Sequence, residues 1–323
     1  MSNSPSCHIN ESIKCPVGDG FHADVAIMMC TYNGAYFLAE QIKSFERQAY
    51  HNWKLYVSDD GSQDETVEII KGWDGGRVRV YEGPRRGFSA NFLSLTCRDE
   101  IKADFFAWSD QDDIWKENKL TKALDVLQKV PAHIPAIYCG RTELISDIGL
   151  CEGYSPIFRR APHFHNALVQ NIGGGNTMVF NQAARNLLQE AGADIVVPSH
   201  DWWAYQLVSG AGGAVFYDPD PTVFYRQHDN NLIGANATWL ARIHRLFMVF
   251  DGRFCEWNTQ NINALETMQH RLSRESLTTL FQFKALRRKV LPARLLGFYR
   301  IKLYRQTFLG NLGLVLAVLL KKI

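Results

Sequence analysis

The stretch VAIMMCTYNGAYFLAEQIKSF, residues 25–45, decides the fold prediction for this chain. Its first six residues are a continuous apolar run, which is typical of a buried strand, and the run ends in the turn TYNG. Leu38, Ile42 and Phe45 then recur at helical spacing, which predicts an amphipathic helix over 35–48. A buried strand therefore leads through a short turn into a helix.

The strand–helix alternation continues downstream of this stretch. Further strands are predicted at 53–58, 77–82 and 104–109. Between them lie an apolar helical stripe around Ile70, which Ser62 or Asp64 can cap, and the helix start FSANFLSL. Strand and helix thus alternate four times in about ninety residues, which predicts an α/β fold with a mostly parallel central sheet flanked by helices.

The chain changes character after residue 235, where long helical stretches carry no strand signal. We therefore predict a flexible polar tail over 1–23, an α/β domain over 24–235 and a basic helical extension over 236–323. With 323 residues, 46% of them hydrophobic, the chain is long enough to bury the core of an ordinary globular protein.

Polar side chains follow three of the predicted strands. Thr31-Tyr32-Asn33 follows the first strand, Asp59-Asp60 follows the second, and Asp110, Asp112 and Asp113 follow the fourth. The carboxyl ends of parallel strands meet at one edge of the sheet, where α/β proteins bind ligands. Closely packed carboxylates repel one another unless a cation or water compensates, and Mg²⁺ and Mn²⁺ prefer oxygen ligands. Residues 110–113, called the acidic loop below, are therefore either a divalent-metal site or a solvated turn that caps the next helix.

Three motifs resemble those of the inverting glycosyltransferases of family 2. They are the opening stretch, YVSDDGSQDET (56–66) and FFAWSDQDDIW (105–115), and the similarity covers residues 24–235. Two later stretches, VPSHDWWAYQL (197–207) and YRQHDNNLIG (225–234), resemble the branch of rhamnosyltransferases that build bacterial surface polysaccharides. The resemblance implies a GT-A fold and a nucleotide-diphosphate sugar as the donor.

The resemblance also implies roles for the polar strand ends. Asp60 would accept a hydrogen bond from the pyrimidine base, whereas Asp59 would support the loop. Asp113 would be the chief ligand of Mn²⁺ or Mg²⁺, assisted by Asp110 and by Asp112, which would also lie near the ribose. The nucleoside pocket would be lined by Thr31, Tyr32 and Asn33.

Asp201, in the motif HDWW, matches the general base of the family. A carboxylate at this position would take the proton from the acceptor hydroxyl as that hydroxyl attacks the sugar. The alternative is that Asp201 or Ser199 caps the helix that follows. Trp202 is either a platform for a sugar ring or part of the core.

Two further stretches carry site predictions. Arg226 and His228 follow a strand-like run and would lie near the diphosphate or the metal, unless they belong to a surface loop. Gly174, Gly175 and Asn176 lie in a glycine-rich stretch that matches no phosphate-binding motif. They would let the backbone approach the donor sugar or the acceptor closely.

The C-terminus is basic and apolar. Ten of the 35 Lys and Arg residues, and none of the 33 acidic ones, lie in 276–323. Its longest apolar run, 308–320, is too short to span a bilayer, so we predict peripheral contact with anionic lipid. A helix packed on the domain, or a surface for a protein partner, is the alternative. No nucleic-acid motif is present, and we expect no nucleic-acid partner.

The seven cysteines form no CxxC pair, and the N-terminus lacks an apolar signal core. Both features predict a cytoplasmic protein, at the inner face of a bacterial membrane if the C-terminus binds lipid. We predict that it moves L-rhamnose from dTDP-L-rhamnose to a hydroxyl of a cell-surface polysaccharide, such as O-antigen, or of its lipid-linked precursor. A UDP-hexose donor, a sugar-phosphate nucleotidyltransferase and an inactive carbohydrate-binding relative are the alternatives.

Overall fold

The computed structural model of the chain describes residues 22–73, 76–227 and 252–323. The predicted tail up to residue 21, His228 and the predicted domain boundary at 235 lie outside these residues.

The first four strands form the parallel half of the sheet, in the order β3-β2-β1-β4. Thr31, at the end of β1, pairs with Asp59 at the end of β2, so the polar strand ends lie level with one another. This confirms the predicted alternation, whose elements are β1 (Val25–Thr31), α1 (Ala35–Glu46), β2 (Trp53–Asp59), α2 (Thr66–Gly72), β3 (Val78–Glu82), α3 (Phe88–Thr96) and β4 (Phe105–Ser109).

The remaining strands form a mixed half, in which β8 and β6 continue the sheet from β4 and are followed by β9 and β5. Only the β6–β9 pair is parallel here, while β8 runs antiparallel to both β4 and β6. These elements are β5 (Ile114–Trp115), α4 (Lys119–Leu127), β6 (Ala136–Ile145), β7 (Cys151–Tyr154), α5 (Phe164–Ala167), β8 (Val179–Asn181), α6 (Gln182–Ala191), α7 (His200–Gly210) and β9 (Ala214–Arg226). Because β9 pairs with β5, its end returns to the acidic loop.

Apolar layers cover both faces of the sheet. Ile27 packs with Leu38 and Phe45 on one face, whereas its neighbour Met28 packs with Phe92 on the other. Successive side chains of a strand point to opposite faces, so a strand covered on both sides must be apolar throughout. This explains why VAIMMC is a continuous apolar run. The predicted α/β fold class, with a central sheet flanked by helices, is therefore confirmed.

Within residues 252–323 the structure has four helices, namely α8 (Arg253–Thr267), α9 (Arg274–Leu286), α10 (Leu291–Ile301) and α11 (Phe308–Leu319). Part of their apolar surface, including Leu265, Phe283 and Val318, joins the core that contains α7. The predicted helical extension therefore packs on the rest of the protein. Within the described part of the chain, no helix has both the length and the hydropathy needed to cross a bilayer.

Candidate active site

The end of β1 is tied to the end of β2. Thr31 donates its hydroxyl hydrogen to Asp59 at 2.8 Å, and Asp59 also accepts hydrogen bonds from the backbone N–H groups of Gly61 and Ser62. Asp59 therefore supports the loop, as the resemblance implies. The Thr31 side chain is buried against this carboxylate.

Tyr32 and Asn33 form an exposed turn that is joined to the acidic loop. The Tyr32 N–H donates to the side-chain oxygen of Gln111 at 2.9 Å, and the Gln111 amide donates back to the Tyr32 carbonyl at 3.0 Å. A Cβ at Gly34 would lie 2.2 Å from the same Gln111 oxygen, so a larger residue here would displace the Gln111 side chain from these hydrogen bonds. Asn33 adopts a left-handed conformation, which asparagine tolerates better than most residues.

Asp60 lies at the carboxyl end of β2 and is nearly buried. One of its oxygens accepts from the backbone N–H of Arg85 at 2.6 Å, and the other accepts from Gly87 at 2.8 Å. These bonds fix the orientation of the carboxylate. Each oxygen has a second lone pair, so Asp60 can still accept a hydrogen bond from a ligand.

Asp113 is 1% exposed and is held by the mixed half of the sheet. Its two oxygens accept from the Asn176 side-chain amide at 2.5 Å and from the backbone N–H of Arg226 at 3.3 Å. Burial, and then the charges of Asp112 and Asp110, raise the pKa of Asp113 well above its usual value.

Arg226 supports the acidic loop instead of presenting its charge to a ligand. Its guanidinium donates to the Asp112 carbonyl at 3.0 Å and to the Asp147 carbonyl at 2.6 Å, and pairs with Glu40. The side chain is only 2% exposed. The contacts therefore do not support the predicted interaction of Arg226 with the diphosphate.

The acidic side chains lie close enough to influence one another. Burial raises the pKa of Asp110 to about 8, and the charges of Asp112 and Asp201 act in the same direction. The pKa of Tyr225, on β9, is likewise raised, first by burial and then by Asp113, Asp110, Asp112 and Asp201. Asp201 thus lies close enough to the acidic loop to affect its protonation, across the boundary between the two halves of the sheet.

The acidic loop offers oxygen ligands but not a complete cage. In a preassembled three-ligand site, one oxygen from each carboxylate would lie within 4.8 Å of the oxygens from the other two. The three carboxylates of the acidic loop do not meet this distance. Mg²⁺ needs only one or two protein carboxylates when substrate phosphates supply the rest. Mutual repulsion within the loop, which raises the pKa of both Asp110 and Asp113, is what a divalent cation would relieve. The loop therefore fits a metal that arrives with a diphosphate.

Asp201 lies in the first turn of α7, directly after Ser199 and His200. One carboxylate oxygen accepts from the backbone N–H of Gly175 at 3.1 Å, and the other accepts from Trp202 at 2.7 Å. The Ser199 hydroxyl makes no capping hydrogen bond. Asp201 thus satisfies one N–H at the helix start, as the capping alternative predicts, while its charge also reaches the acidic loop.

Residues 174–176, called the glycine turn below, connect the two carboxylates. Gly175 donates to Asp201, and the next residue, Asn176, donates to Asp113. A Cβ at Gly175 would lie 2.3 Å from the His200 ring, and one at Gly174 would lie 2.6 Å from the Asn176 side chain. The predicted close backbone approach is therefore present, but here it serves protein groups.

The aromatic start of α7 belongs to the core. Trp202 is 6% exposed, and its indole N–H donates to the Ala167 carbonyl at 2.6 Å, which favours the core alternative over a sugar platform. The His200 ring stacks on Phe92 with a centroid distance of 4.0 Å. Burial lowers the pKa of His200 to about 4, so the imidazole is neutral near pH 7.

Sequence reasoning missed two residues that surround the acidic loop. Tyr225 lies among the four carboxylates described above. Lys119, at the start of α4, is fully buried, with its amine 4.3 Å from the ring centre of Trp115. Burial lowers the pKa of Lys119 to about 7, and the charge of Asp113 acts in the opposite direction. The sequence did contain a signal for Lys119, because this lysine falls on the apolar face of the helix together with Ala123 and Leu127.

The sheet order and the carboxylates that follow its strands agree with the GT-A type fold of glycosyltransferases. The model of glycosyl transferase family 2 matches residues 26–200, and the chain belongs to this family. The predicted family and enzyme class are thereby confirmed.

Two relatives indicate where the chain lies within the family. It is 27% identical over 257 residues to the dTDP-rhamnosyl transferase RfbG of Shigella flexneri, which covers 73% of this chain and 84% of that protein. It is 28% identical over 165 residues to the UDP-Glc:alpha-D-GlcNAc-diphosphoundecaprenol beta-1,3-glucosyltransferase WfgD of Escherichia coli, which covers 50% of this chain and 62% of that protein.

Solved structures share the fold. The mannosyltransferase PcManGT from Pyrobaculum calidifontis, in complex with GDP-Man and Mn²⁺, superposes with a TM-score of 0.50 at 17% identity, covering 94% of this chain and 86% of that chain. S. aureus TarS 1–349 gives a TM-score of 0.51 at 14% identity, covering 86% and 90%. At these identities the likeness establishes the fold alone.

Proposed function

We propose that this chain transfers L-rhamnose from dTDP-L-rhamnose to a hydroxyl of a lipid-linked precursor of a bacterial surface polysaccharide such as O-antigen, with inversion at the anomeric carbon. The observation that carries the proposal is the glycine turn, whose adjacent residues Gly175 and Asn176 donate to Asp201 and to Asp113 and so keep the two carboxylates close together. The similarity to RfbG supports the donor, and the similarity to WfgD supports a lipid-linked acceptor.

The nucleotide would bind at the polar strand ends. The turn at Thr31, Tyr32 and Asn33 lies beside Asp60, whose carboxylate is already oriented by two backbone N–H groups. Ligand groups that donate a hydrogen bond can use the remaining lone pairs of this carboxylate, and the N3–H of thymine or uracil is such a group. In the proposal Asp60 therefore accepts a hydrogen bond from the pyrimidine base, as the resemblance implies.

Asp110, Asp112 and Asp113 would hold Mn²⁺ or Mg²⁺ together with the diphosphate. As a Lewis acid, the bound ion would stabilise the charge that gathers on the leaving diphosphate. Asn176 and the Arg226 backbone would keep Asp113 in place for this role.

Asp201 would remove the proton from the acceptor hydroxyl. Its hydrogen bonds to Gly175 and Trp202 hold the carboxylate in one orientation, and both leave a lone pair available for that proton. A single displacement with the base on the opposite side of the sugar from the leaving group inverts the anomeric carbon. Base catalysis of this kind contributes about 10²–10⁴-fold to the rate.

A panel of sugar nucleotides, incubated with Mn²⁺ and a lipid-linked glycan acceptor, tests the proposal. We expect nucleoside diphosphate release from dTDP-L-rhamnose that depends on the acceptor. Release from a UDP-hexose alone would establish the alternative donor, which the similarity to WfgD favours. Formation of nucleoside triphosphate from pyrophosphate would indicate a nucleotidyltransferase, and silence across the panel would indicate a carbohydrate-binding relative.

We also propose that the C-terminal helices place the enzyme on the anionic inner face of the membrane, in the cytoplasm. Large apolar side chains of α10 and α11 remain exposed, among them Tyr299 at 81% and Phe308 at 82%. Arg300 and Lys302 follow Tyr299 closely in the sequence, and residues 276–323 contain no acidic residue. Apolar insertion and attraction to anionic headgroups would act together on this face.

Flotation with vesicles tests this contact. We expect binding to vesicles that contain phosphatidylserine and little binding to pure phosphatidylcholine. The double variant Tyr299→Glu/Phe308→Glu should reduce binding at least about tenfold. Ile148→Glu, at another exposed apolar position, is the matched control. Equal binding of the double variant and the control would rule out this face as the lipid contact.

A further inference from the structure

Three potential metal ligands meet outside the acidic loop. His163 immediately precedes α5, His165 lies within α5, and Glu275 lies in the first turn of α9. One ligand atom of each side chain lies within 4.8 Å of those of the other two. Across residues 22–73, 76–227 and 252–323, no other trio of His, Cys, Asp or Glu side chains meets this distance.

The two imidazoles are hydrogen-bonded to each other. Their Nδ1 atoms lie 2.8 Å apart, which is a hydrogen-bond distance and requires one nitrogen to donate and the other to accept. The two potential ligand atoms therefore face each other.

The donor set suits zinc. Two imidazole nitrogens and one carboxylate oxygen are ligands that Zn²⁺ accepts, with a fourth position for water. Zn–N bonds are about 2.0–2.1 Å long, so a tetrahedral ion would hold the two nitrogens about 3.3 Å apart. His163 and Glu275 are exposed, so small rotations of their side chains would increase the nitrogen–nitrogen distance from 2.8 Å to that value.

We propose that His163, His165 and Glu275 form a Zn²⁺ site that fastens the C-terminal helices to the part of the chain that carries the sheet. The site connects α5 to α9, which are separated by more than a hundred residues in the sequence. The backbone N–H of His163 also donates to the Tyr205 hydroxyl at 2.9 Å, and Tyr205 lies one turn after Asp201 on α7. The ion would thus hold α9 against the segment that supports the Asp201 helix.

Zinc titration by calorimetry tests the site. The protein should be tag-free, stripped with chelator, and carry Asp113→Asn so that the acidic loop does not compete. We expect one equivalent of Zn²⁺ to bind, and expect the double variant His163→Gln/His165→Gln to lose it. Glu275→Gln should weaken binding about tenfold or more. His270→Gln, which removes an exposed histidine beside Glu190, is the matched control and should leave binding unchanged.

Thermal unfolding gives an independent measurement. Zn²⁺ at about 100 times its dissociation constant should raise Tm by about 5 °C in the Asp113→Asn protein and not in the double variant. Circular dichroism checks that the double variant is folded, and Glu275→Gln decides the question if it is not. The proposal is overturned if the Asp113→Asn protein binds no equivalent of Zn²⁺, or if it still binds one after these ligands are replaced.

Discussion

The parallel half of the sheet brings acidic side chains to its strand ends, whereas the mixed half brings the groups that hold them in place. Asp60 and the acidic loop follow parallel strands in the order in which the sequence presents them. Asn176 and Arg226 come from later segments that run back towards these strand ends, and their amide and backbone N–H groups bind Asp113. The charge of Asp113 is therefore supplied by one half and oriented by the other, whereas Asp60 is oriented within the parallel half by the backbone N–H groups of Arg85 and Gly87. Asp201 is the exception, since it is a carboxylate from the second half.

Asp113→Asn should have the largest effect, and it tests whether the acidic side chains that follow the parallel strands bind the metal. We expect transfer to fall to background and Mn²⁺-dependent nucleotide binding to weaken, because the buried carboxylate faces the position proposed for the metal. Turnover at varied Mn²⁺ and calorimetric binding of dTDP measure the two effects. Unchanged turnover at saturating Mn²⁺ would refute the assignment of Asp113 as a metal ligand.

Asp201→Asn tests the exception. Transfer should fall about 10²–10⁴-fold while donor binding survives, because an amide cannot accept the proton but can still accept the N–H of Gly175. Single-turnover kinetics and donor affinity separate the two properties. If this variant loses donor affinity and transfer together, Asp201 acts in binding and the base lies elsewhere.

Asn176→Ala tests whether the mixed half orients the charge. Removing an amide that donates to a buried carboxylate costs about 1.5–3 kcal/mol, so Mn²⁺ affinity should fall about 10- to 100-fold. The measurement is the Mn²⁺ concentration that gives half-maximal transfer. Asn186→Ala, on the exposed face of α6, is the control and should leave that concentration unchanged. Equal behaviour of the two variants would remove Asn176 from the proposed metal site.

Gly175→Ala tests the orientation of Asp201 by the glycine turn. The added methyl group would lie 2.3 Å from the buried His200 ring, and strain of this kind costs about 1–3 kcal/mol of unfolding free energy. We expect a lower Tm and slower transfer because the Gly175 N–H moves away from Asp201. Gly72→Ala, where the methyl group meets no atom within 4 Å, is the control. A Tm like that of the control would show that the glycine turn adapts freely.

The smallest expected effect is on the pH dependence of stability in metal-free protein. The pKa of Asp110 is raised to about 8 in the folded state from 3.8, so the folded protein keeps a proton that the unfolded chain has lost. Asp110 should therefore make stability fall as pH rises from 5 to 8, with a contribution of at most about 1.4 kcal/mol per pH unit. Urea unfolding in EDTA measures the slope, and Asp110→Asn should reduce it. A slope that is identical in the variant would contradict an Asp110 that stays protonated in the folded state.

The sequence was sufficient to predict the parallel half. Apolar runs and helical stripes have short-range periodicity, so β1 to β4 and the acidic strand ends follow directly from them. The mixed half has weaker local signals, since β8 has three residues and β9 contains two prolines. Its side chains also meet the acidic loop through long-range pairing, which no local pattern encodes. This is why the contacts of Arg226 with Asp112, Asp147 and Glu40 could not be predicted, and why Tyr225 and Lys119 were missed.

The paired hydrogen bonds between Tyr32 and Gln111 have a consequence for redesigning the enzyme. They fasten the loop proposed to recognise the nucleobase to the loop proposed to carry the metal, and Gly34 leaves room for that junction. A library that varies one loop alone will perturb the other, so attempts to change donor preference should randomise both loops together. A smaller residue at position 111 would remove these hydrogen bonds, so that substitutions in one loop would no longer disturb the other.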